Sequence, residues 1–442
     1  MNLFCANRRR DKQTLNTTPA MESLETRQLM SGTAMSPQVT NPTANSVIAP
    51  LTLTAASTTP APAAAVKTRV PAEWERHDST WLQWPKGEEV SYRENFTGII
   101  RTLQAYEQVN LVVESTKAQA DASKYLQQRG VPLTNIQFQI MPYDWSWMRD
   151  NGAIWVEQTN AQGAKNLAVQ DWGFDGWGGV GGASRKDDAV PRQVAKIEGV
   201  AVETIPVILE KGTMEFNGQD TLITSWTCLH DRNPTMSRAQ LESVLKSKFG
   251  VTKVVWVTGA TQDDITNGHI DGIARFVNAN TVVVGRYKDQ TDPDAAVYEN
   301  AAASIKAAGL NVVRMDISGY ITYRGVEMAA NYLNYLVANG VVVASSFGNP
   351  AFDNAAKAQL QKLFPDRKVV LTDVRELWYN GGGIHCVTND QPLLSAPVTR
   401  AVIATAPSSM PQSSLLQSPA KPADTLGLWS AGSSLTSRIR WV

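Results

Sequence analysis

The chain has few cysteines and histidines, and it lacks both a long apolar run and an excess of charge of one sign. Its 442 residues include three cysteines and four histidines, too few and too scattered for a disulfide framework or a paired-cysteine zinc site. Forty-one basic residues balance forty-one acidic ones, which excludes a strong field for nucleic acid or an anionic membrane. No apolar run reaches the roughly eighteen residues of a membrane helix. We therefore expect a globular protein with a small or locally recognised partner.

The two ends of the chain differ in composition from its middle. Residues 31–66 carry no charged side chain and consist mainly of Ser, Thr, Pro and Ala, a composition that cannot bury enough apolar area to fold alone. We predict a leader at 1–30, a linker at 31–67, a folded domain at 68–395 and a low-complexity tail at 396–442. Both extensions are expected to be disordered.

The leader bears on where the protein is located. It is basic at its start but has no continuous apolar segment of the kind that an ordinary secretory signal contains. The piece ESLETRQLMSG resembles a leader motif on predicted exported proteins of some environmental bacteria. We therefore expect export, with a cytoplasmic location as the alternative.

A strand, a polar turn, a helix and a second strand recur along the middle of the chain. The pattern is clearest from Thr221, Thr281 and Val341, where β-branched runs such as VVV alternate with amphipathic pieces such as AAKAQLQKLF. Two less regular units open near Ser79 and Asn166, and an extra strand and helix enlarge the first of them. Five such units would suit a closed, radially repeated α/β ring. An ordinary α/β sandwich is the alternative.

Five chemically active side chains fall at matching places in these units. They are Asp150, Glu210, His269, Asn331 and Cys386, and their successive separations are 60, 59, 62 and 55 residues. In a ring of similar units, equivalent positions converge on the axis. We therefore expect two carboxylates, an imidazole, an amide and a thiol to share one pocket.

This set of groups suits a planar cation. Carboxylates in a closed pocket require a cation, and a guanidinium group donates paired hydrogen bonds to them. Asp271 follows His269 by two residues, so the two side chains share a face if the segment is extended. Asp150 and Asp271 could then hold a guanidinium group by its edge while Cys386, as a thiolate, attacks its carbon.

Each of these assignments has a structural alternative. Cys386 could be a buried apolar residue, and His269 with Asp271 could bind a metal, although no third ligand except a cysteine is in phase. Neighbouring residues of an extended segment point to opposite faces. We therefore predict that His385 packs behind Cys386 and takes no part in catalysis. The residues expected to be structural are Cys5, Cys228, His77 and His230.

Five motifs occur in order through the central region. They are PAEWERHDSTWLQWP at 71–85, WMRDNGAIWV at 147–156, DGWGG at 175–179, TNGHIDGIARFV at 266–277 and GGGIHCVTNDQP at 381–392. Together they resemble the agmatine deiminase and bacterial (Porphyromonas-type) peptidyl-arginine deiminase family, of the pentein fold. The resemblance implies an α/β five-bladed propeller with pseudo-fivefold symmetry, and an enzyme that uses neither a metal nor another cofactor.

The resemblance also implies roles for the matching residues. Cys386 would be the nucleophile, His269 the acid and base, and Asp150 and Asp271 the guanidinium ligands. The reaction would release ammonia, pass through a covalent thiouronium and leave a ureido product. The predicted substrate-binding residues are Glu210, Asn331, Trp147 and Lys211. Trp147, like Trp145 and Trp177, could instead belong to the core.

The substrate is the least certain part of this prediction, because the chain departs from the family pattern at two positions. The family has a glycine where this chain has Lys211, and a serine where Asn331 aligns. A lysine facing the pocket would disfavour agmatine, which carries a second positive charge, and favour the carboxylate of arginine. Alternatively, Lys211 points to solvent.

Agmatine, converted to N-carbamoylputrescine and ammonia, is nevertheless our first prediction. KDD at 186–188 and RNP at 232–234 resemble the agmatine branch. The alternative is a C-terminal arginine of a peptide, giving citrulline, which an exported protein would favour. Amidinotransferase or dihydrolase activity, and a catalytically weak secreted binding protein on the same scaffold, are further hypotheses.

Overall fold

The structure, a computed structural model, describes residues 66–394 except Ala183, Asp263 and Ser318. The predicted leader, the predicted tail and almost all of the predicted linker lie outside the described residues. Within 66–394, no helix is both long enough and apolar enough to cross a membrane.

The strands of the described region are short. In chain order they are β1 (Lys67–Arg69), β2 (His77–Gln83), β3 (Gln108–Val113), β4 (Ile136–Ile140), β5 (Ile154–Thr159), β6 (Lys165–Gly173), β7 (Ala201–Ile208), β8 (Met214–Phe216), β9 (Thr221–Ser225), β10 (Lys253–Val257), β11 (Ala274–Asn278), β12 (Thr281–Tyr287), β13 (Asn311–Ile317), β14 (Tyr320–Tyr323), β15 (Val326–Ala329), β16 (Leu336–Ala338), β17 (Val341–Ser346), β18 (Lys368–Asp373) and β19 (Asn389–Pro392).

Helices connect many of these strands. The α-helices are α1 (Arg93–Leu103), α2 (Thr116–Gln128), α3 (Met148–Asn151), α4 (Arg185–Asp188), α5 (Val190–Glu198), α6 (Trp226–Arg232), α7 (Arg238–Phe249), α8 (Ala295–Ala307), α9 (Pro350–Leu363) and α10 (Arg375–Tyr379), and 3-10 turns span Gly87–Tyr92, Lys211–Thr213 and Ile270–Gly272.

The larger sheets share one plan. In each, a first strand runs antiparallel to a second, and a helical crossover leads to a third strand that runs parallel to the second. The strand triplets are β19-β2-β3, β5-β6-β7, β8-β9-β10, β11-β12-β13 and β16-β17-β18. β4 extends the first sheet, β1 extends the second, and β14 and β15 form a separate hairpin.

The units predicted from the sequence coincide with this plan. β9, β12 and β17 begin at Thr221, Thr281 and Val341, and β2 and β6 contain Ser79 and Asn166. The extra strand and helix predicted at 111–130 are β3 and α2, and β3 belongs to the common plan. The first unit is enlarged by α2 with β4, which adds a second parallel pair. Because β19 pairs with β2, the last strand of the described region completes the sheet that the N-terminal unit begins.

Local sequence signals set the helix boundaries. The side chain of Asn349 accepts hydrogen bonds from the backbone N–H groups of Ala351 and Phe352 at the start of α9, and Pro350 occupies the first helical position. Ala356 and Leu360 then lie on one buried face, since residues four apart share a face. The core contains buried valines and isoleucines from the central strands, packed against such helix faces.

Candidate active site

The predicted site residues occupy equivalent places in the units, each in the segment that precedes a first strand. Asp150 lies on α3 before β5, and Glu210 lies between β7 and β8. His269 precedes the 3-10 turn that leads to β11, Asn331 lies between β15 and β16, and Cys386 lies between α10 and β19. The sequence period therefore corresponds to a structural equivalence.

His269 is at the centre of the buried polar groups. Its Nδ1 lies 3.6 Å from Oδ1 of Asp150, and its Nε2 lies 3.4 Å from Oε2 of Glu210. Glu210 is held in turn by Arg232, whose Nε donates to Oε1 at 2.8 Å. The imidazole is thus placed between two carboxylates, which come from the two unit segments that precede its own in the chain.

Cys386 contacts a different pair of side chains. Its Sγ lies 3.7 Å from Oδ2 of Asp271, and Asn334 Nδ2 donates to Sγ at 3.2 Å. Asn334 Oδ1 also accepts a hydrogen bond from the backbone N–H of His385, at 2.9 Å. Asn334 therefore contacts the sulfur and fixes the backbone that carries it.

A cleft of about 410 Å³ opens onto these groups. Its walls include His269, Asp271, Asn331, Asn334 and Cys386. It is large enough for a small molecule, which occupies pockets of this order of size. The structure thus brings the predicted nucleophile, the predicted acid and base and one predicted carboxylate ligand to a single cavity.

Asp150 and Glu210 lie beside His269 and are not among the walls of the cleft. Trp177 Nε1 donates to Oδ2 of Asp150 at 2.9 Å. Within the described region, Asp150 Oδ1 and His269 Nδ1 make no hydrogen bond although both are buried. Buried polar atoms normally have a partner, so these two atoms are available to a bound ligand.

The backbone at Gly212 approaches these two atoms closely. A Cβ on Gly212 would lie 2.5 Å from His269 Nδ1 and 2.7 Å from Asp150 Oδ1. Gly212 therefore has to lack a side chain for the carboxylate and the imidazole to occupy their observed positions.

Burial and neighbouring charges shift the ionisation of the carboxylates and the imidazole. Burial, followed by the charges of Asp271 and Glu210, raises the pKa of Asp150 to about 6, although His269 opposes the shift. Burial opposes the charged form of His269, yet Asp150 and then Cys228 and Glu210 raise its pKa well above the usual value. Burial opposes the charged form of Asp271, but the hydrogen bond with His385 and nearby positive charges together lower its pKa.

The ionisation of Cys386 differs from that of an activated cysteine. Burial, followed by the negative charges of Asp271 and Asp150, raises the pKa of the Cys386 thiol well above its usual value. The hydrogen bond from Asn334 acts in the opposite direction but is the smaller effect. At neutral pH the thiol is therefore protonated until a cation occupies the site.

His385 lies behind the catalytic face, as the alternation of side chains predicted, but it is bonded to the site. Its Nδ1 lies 2.7 Å from Oδ2 of Asp271, and its Nε2 lies 2.7 Å from Oε2 of Glu73. It is buried and does not line the cleft. Asp271 is consequently oriented by the residue next to Cys386 in the sequence.

Lys211 differs from both sequence-based expectations, since it faces neither the cleft nor solvent. Its side chain is buried, and its Nζ donates to Oδ1 of Asp390 at 2.8 Å. Arg149 Nη1 donates to the same oxygen at 2.8 Å. Lys211 therefore does not line the cleft, because a buried carboxylate distant in the sequence pairs with it, and its role in substrate binding stays a prediction.

The other predicted substrate-binding residues are placed differently from one another. Asn331 lines the cleft, and its Nδ2 donates to the backbone oxygen of Gly272 at 2.7 Å. Trp147 packs in the apolar core against Tyr92, beside Gly382, one of the glycines that precede Cys386. The partners of Glu210 are His269 and Arg232.

Sequence reasoning missed Asn334, which contacts the sulfur. The signal was present, because NYLNYL contains two asparagines three residues apart, Asn331 and Asn334. The sixty-residue period selected the first of them. A period cannot distinguish neighbours on an irregular segment, where side-chain direction changes from one residue to the next.

Comparisons with known proteins agree with the fold. The sequence pattern of the Porphyromonas-type peptidyl-arginine deiminase family matches residues 69–392. The agmatine deiminase of Pseudomonas aeruginosa (strain LESB58) is 31% identical over 363 residues, covering 73% of this chain and 95% of that protein. The agmatine deiminase of Stutzerimonas stutzeri (strain A1501) is 30% identical over 370 residues, covering 75% of this chain and 96% of that protein.

A solved structure extends the likeness to three dimensions. The agmatine deiminase of Enterococcus faecalis superposes with a TM-score of 0.66 at 27% identity, covering 74% of this chain and 96% of that one. The fold is therefore the α/β fold of the pentein-type deiminases. The chain belongs to the Porphyromonas-type peptidyl-arginine deiminase family, which confirms the resemblance seen in its motifs.

Proposed function

We propose that the protein is an agmatine deiminase, a hydrolase that converts agmatine to N-carbamoylputrescine and ammonia. Family membership supports a deiminase. The grouping of Cys386, His269 and Asp271 around one cleft supplies the nucleophile, the acid and base and the carboxylate that the reaction needs.

The charge of the cleft favours agmatine over the other candidate substrates. Its ionisable walls include Asp264, Asp271 and Asp294, and among the described residues no lysine or arginine lines it. Agmatine is positive at both ends, so an acidic cleft attracts both ends, whereas the carboxylate of free arginine or of a C-terminal arginine would be repelled. With Lys211 paired to Asp390 outside the cleft, the objection to agmatine no longer applies.

Aromatic groups accompany the acidic ones. Tyr287, Tyr320, Trp378 and Tyr379 line the cleft together with Asp294. Aromatic faces attract ammonium groups and also pack against methylene chains. This part of the cleft therefore suits the butyl chain and the distal amine of agmatine.

Binding of the guanidinium group activates the thiol. A unit charge about 4 Å away contributes about 4 kcal/mol at an effective dielectric constant near 20, which corresponds to a pKa change of about three units. A guanidinium held by Asp271 and by the Asp150 oxygen that makes no hydrogen bond would therefore offset the negative charge that keeps Cys386 protonated. The substrate itself would trigger formation of the thiolate, and the thiol proton would pass to water.

The reaction then proceeds in two balanced steps. The Cys386 sulfur forms a bond to the guanidinium carbon, the carbon–nitrogen bond breaks, and the leaving nitrogen departs as ammonia with a proton from His269. Neutral His269 next takes a proton from water, which attacks the thiouronium carbon. The carbon–sulfur bond then breaks, the hydroxyl proton of the adduct passes to bulk water, the neutral ureido product leaves and the thiolate returns.

The test is to offer the purified chain agmatine, free arginine and an arginine-ended peptide, and to measure ammonia and ureido product from each. Agmatine should give the highest kcat/KM, and Cys386→Ser should give no product. No product from any of the three would refute the deiminase proposal. Turnover of the peptide in preference to agmatine would instead identify the peptidyl-arginine alternative.

We also propose that the five sheets surround one axis as a five-bladed propeller. Their common plan, the equivalent placement of the site residues and the pairing of β19 with β2 support this arrangement. A crystal structure in which the five site segments do not meet at one axis would contradict it.

We further propose that the leader directs export, on the strength of its resemblance to leaders of exported proteins. The leader lies outside the described residues. Cell fractionation with a detectable C-terminal tag tests the proposal, and a full-length protein confined to the cytoplasm would contradict it.

A further inference from the structure

One buried thiol has no part in the proposed reaction. Cys228 lies on α6, and its Sγ donates to Oε2 of Glu210 at 3.5 Å. The same carboxylate oxygen lies 3.4 Å from Nε2 of His269. Glu210, Cys228 and His269 each offer one ligand atom, and these three atoms lie within 4.8 Å of one another.

The spacing of these atoms fits a metal that prefers nitrogen, oxygen and sulfur ligands. In a tetrahedral zinc site, bonds of about 2.05 Å to nitrogen or oxygen and about 2.3 Å to sulfur place nitrogen and oxygen about 3.4 Å apart, and oxygen and sulfur about 3.6 Å apart. The observed separations of Glu210 Oε2 are 3.4 Å to His269 and 3.5 Å to Cys228. Two of the three separations therefore match those of such a site, and the ligand atoms of His269 and Cys228 lie within 4.8 Å of each other.

The surrounding charges also permit a divalent cation. A Glu210 carboxylate and a Cys228 thiolate together balance its charge. Arg232 occupies the other carboxylate oxygen, Oε1, and so orients Oε2 toward His269 and Cys228. The positive charge of Arg232 is itself paired with Asp231, at 2.6 Å.

We propose that Glu210, Cys228 and His269 form a binding site for a zinc-class transition metal ion that enters through the cleft and inhibits the enzyme. Three protein ligands leave one coordination position for water. A metal on Nε2 of His269 leaves the one ring proton on Nδ1, so the imidazole can neither accept a proton from water nor form the imidazolium that protonates the leaving nitrogen. The inhibitory effect rests on the proposed deiminase function, whereas metal binding does not.

Binding must displace protons. The Cys228 thiol loses one, since burial raises its pKa to about 12, and the His269 imidazolium loses another, since its pKa is also raised. Six charged or titratable groups surround these two ligands. Asp150 lies on α3, Asp231 and Arg232 lie on α6, and the other three are Asp175, Glu210 and Asp271. Release of two protons makes the apparent affinity rise up to about 100-fold per pH unit.

Cobalt(II) is the probe, because a cobalt–thiolate bond gives a charge-transfer absorption band. The full chain carrying Cys5→Ser and Cys386→Ser retains Cys228 as its one thiol, since the sequence has three cysteines. The matched control carries Cys5→Ser and Cys228→Ser and retains Cys386. Circular dichroism and thermal unfolding establish that both variants are folded.

The first variant should show the band with one cobalt per chain, displaced by zinc, and the control should not. No band in the first variant, or an equal band in the control, would overturn the proposal. If Cys228→Ser fails to fold, Cys228→Ala in the Cys5→Ser background replaces it, with the same expected outcome.

The inhibitory effect is measured separately on ammonia release. Zinc should inhibit the wild-type chain reversibly, with relief by a chelator, and the zinc concentration for half-inhibition should rise more than about 100-fold in Cys228→Ser. Equal inhibition of both proteins would overturn the inhibitory role. If agmatine is not turned over at all, the proposed function fails while the cobalt experiment still decides the metal site.

Discussion

At the scale of single residues, the site holds its thiol in an inactive form. Cys386 is surrounded by carboxylates and buried, and both effects favour the neutral thiol. Asn334 is the one side chain that donates a hydrogen bond to the sulfur in the described site. The site is therefore arranged to react only when a cation compensates the carboxylates, which limits oxidation or alkylation of the empty enzyme.

Replacing Asn334 should slow chemistry more than binding. In Asn334→Ala the thiolate loses the donor at 3.2 Å, and a hydrogen bond to a charged group is worth about 1.5–3 kcal/mol. We expect kcat for agmatine to fall about 10- to 100-fold, with a smaller change in KM.

The matched control is Asn334→Asp, which keeps an acceptor for the backbone N–H of His385 but removes the donor to the sulfur. Its thermal midpoint should stay nearer to wild type than that of Asn334→Ala, while its kcat is at least as low. A kcat near wild type in both variants would contradict the assigned contact.

Lys211 should matter for stability and not for substrate choice. In Lys211→Met, Asp390 loses one of two cationic partners that lie 2.8 Å from the same oxygen. A buried group left partly unsatisfied costs about 1–3 kcal/mol, so we expect the free energy of unfolding in urea to fall by about that amount. The ratio of kcat/KM for agmatine to that for arginine should not change. A changed ratio at unchanged stability would place Lys211 in the cleft after all.

At the scale of elements, two buried carboxylates hold the loop that leads into α3. Glu89, from the 3-10 turn Gly87–Tyr92, accepts a hydrogen bond from the backbone N–H of Ser146 at 2.9 Å. Asp187, from α4, accepts one from the N–H of Asp144 at 2.7 Å. These bonds set the direction in which α3 presents Asp150.

The buried carboxyl of Glu89 should make the free energy of unfolding decrease as the pH rises. Burial raises its pKa to about 8, against about 4.3 in an unfolded chain. Between these values the native state binds more protons than the unfolded state, so the free energy of unfolding decreases with pH, by at most about 1.4 kcal/mol per pH unit. In urea unfolding between about pH 5 and pH 8, the stability of wild type relative to Glu89→Gln should decrease steadily.

Asp187→Asn provides a second variant for the same loop. Burial raises the pKa of Asp187 to about 7. Its contribution to the free energy of unfolding should therefore be lost about one pH unit below the pH at which that of Glu89 is lost. If the stability curves of both variants run parallel to that of wild type, neither carboxylate is protonated in the native state, and the account of the loop is wrong.

The element scale also shows which features the sequence could predict. The strand starts at Thr221, Thr281 and Val341 were predictable because β-branched runs and helical spacing repeat there, and repetition averages out local ambiguity. The hairpin of β14 and β15 was not predicted, since it belongs to one unit alone. The direction of Lys211 could not be predicted because its partner lies 179 residues away.

At the scale of the whole molecule, a late strand completes an early sheet. β19 pairs with β2 and begins three residues after Cys386. Contacts of such large sequence separation are absent from any local pattern, although a period of five units predicts that the last unit should meet the first. The closure therefore couples the position of Cys386, the predicted nucleophile, to the stability of the N-terminal unit.

Gln391 tests this coupling. Its Oε1 accepts hydrogen bonds from Trp81 Nε1 at 2.7 Å and from Ser79 Oγ at 2.8 Å, and all three residues are buried. In Gln391→Ala two buried donors lose their acceptor, so we expect the free energy of unfolding to fall by about 2–5 kcal/mol. Because the strand closes the described region, unfolding in urea should remain one transition at lower midpoint for both tryptophan fluorescence and circular dichroism.

Asn135→Ala is the matched control, since Asn135 donates one exposed hydrogen bond to the backbone of Gln104. Asn135→Ala should lower the free energy of unfolding by less than about 0.5 kcal/mol. A similar small cost for Gln391→Ala would mean that β19 is dispensable. A separate early transition, seen by one probe and accompanied by loss of ammonia release, would mean that β19 opens independently of the other sheets. Only a single shifted transition agrees with a molecule in which the strand beside Cys386 and the strand that begins the first unit unfold together.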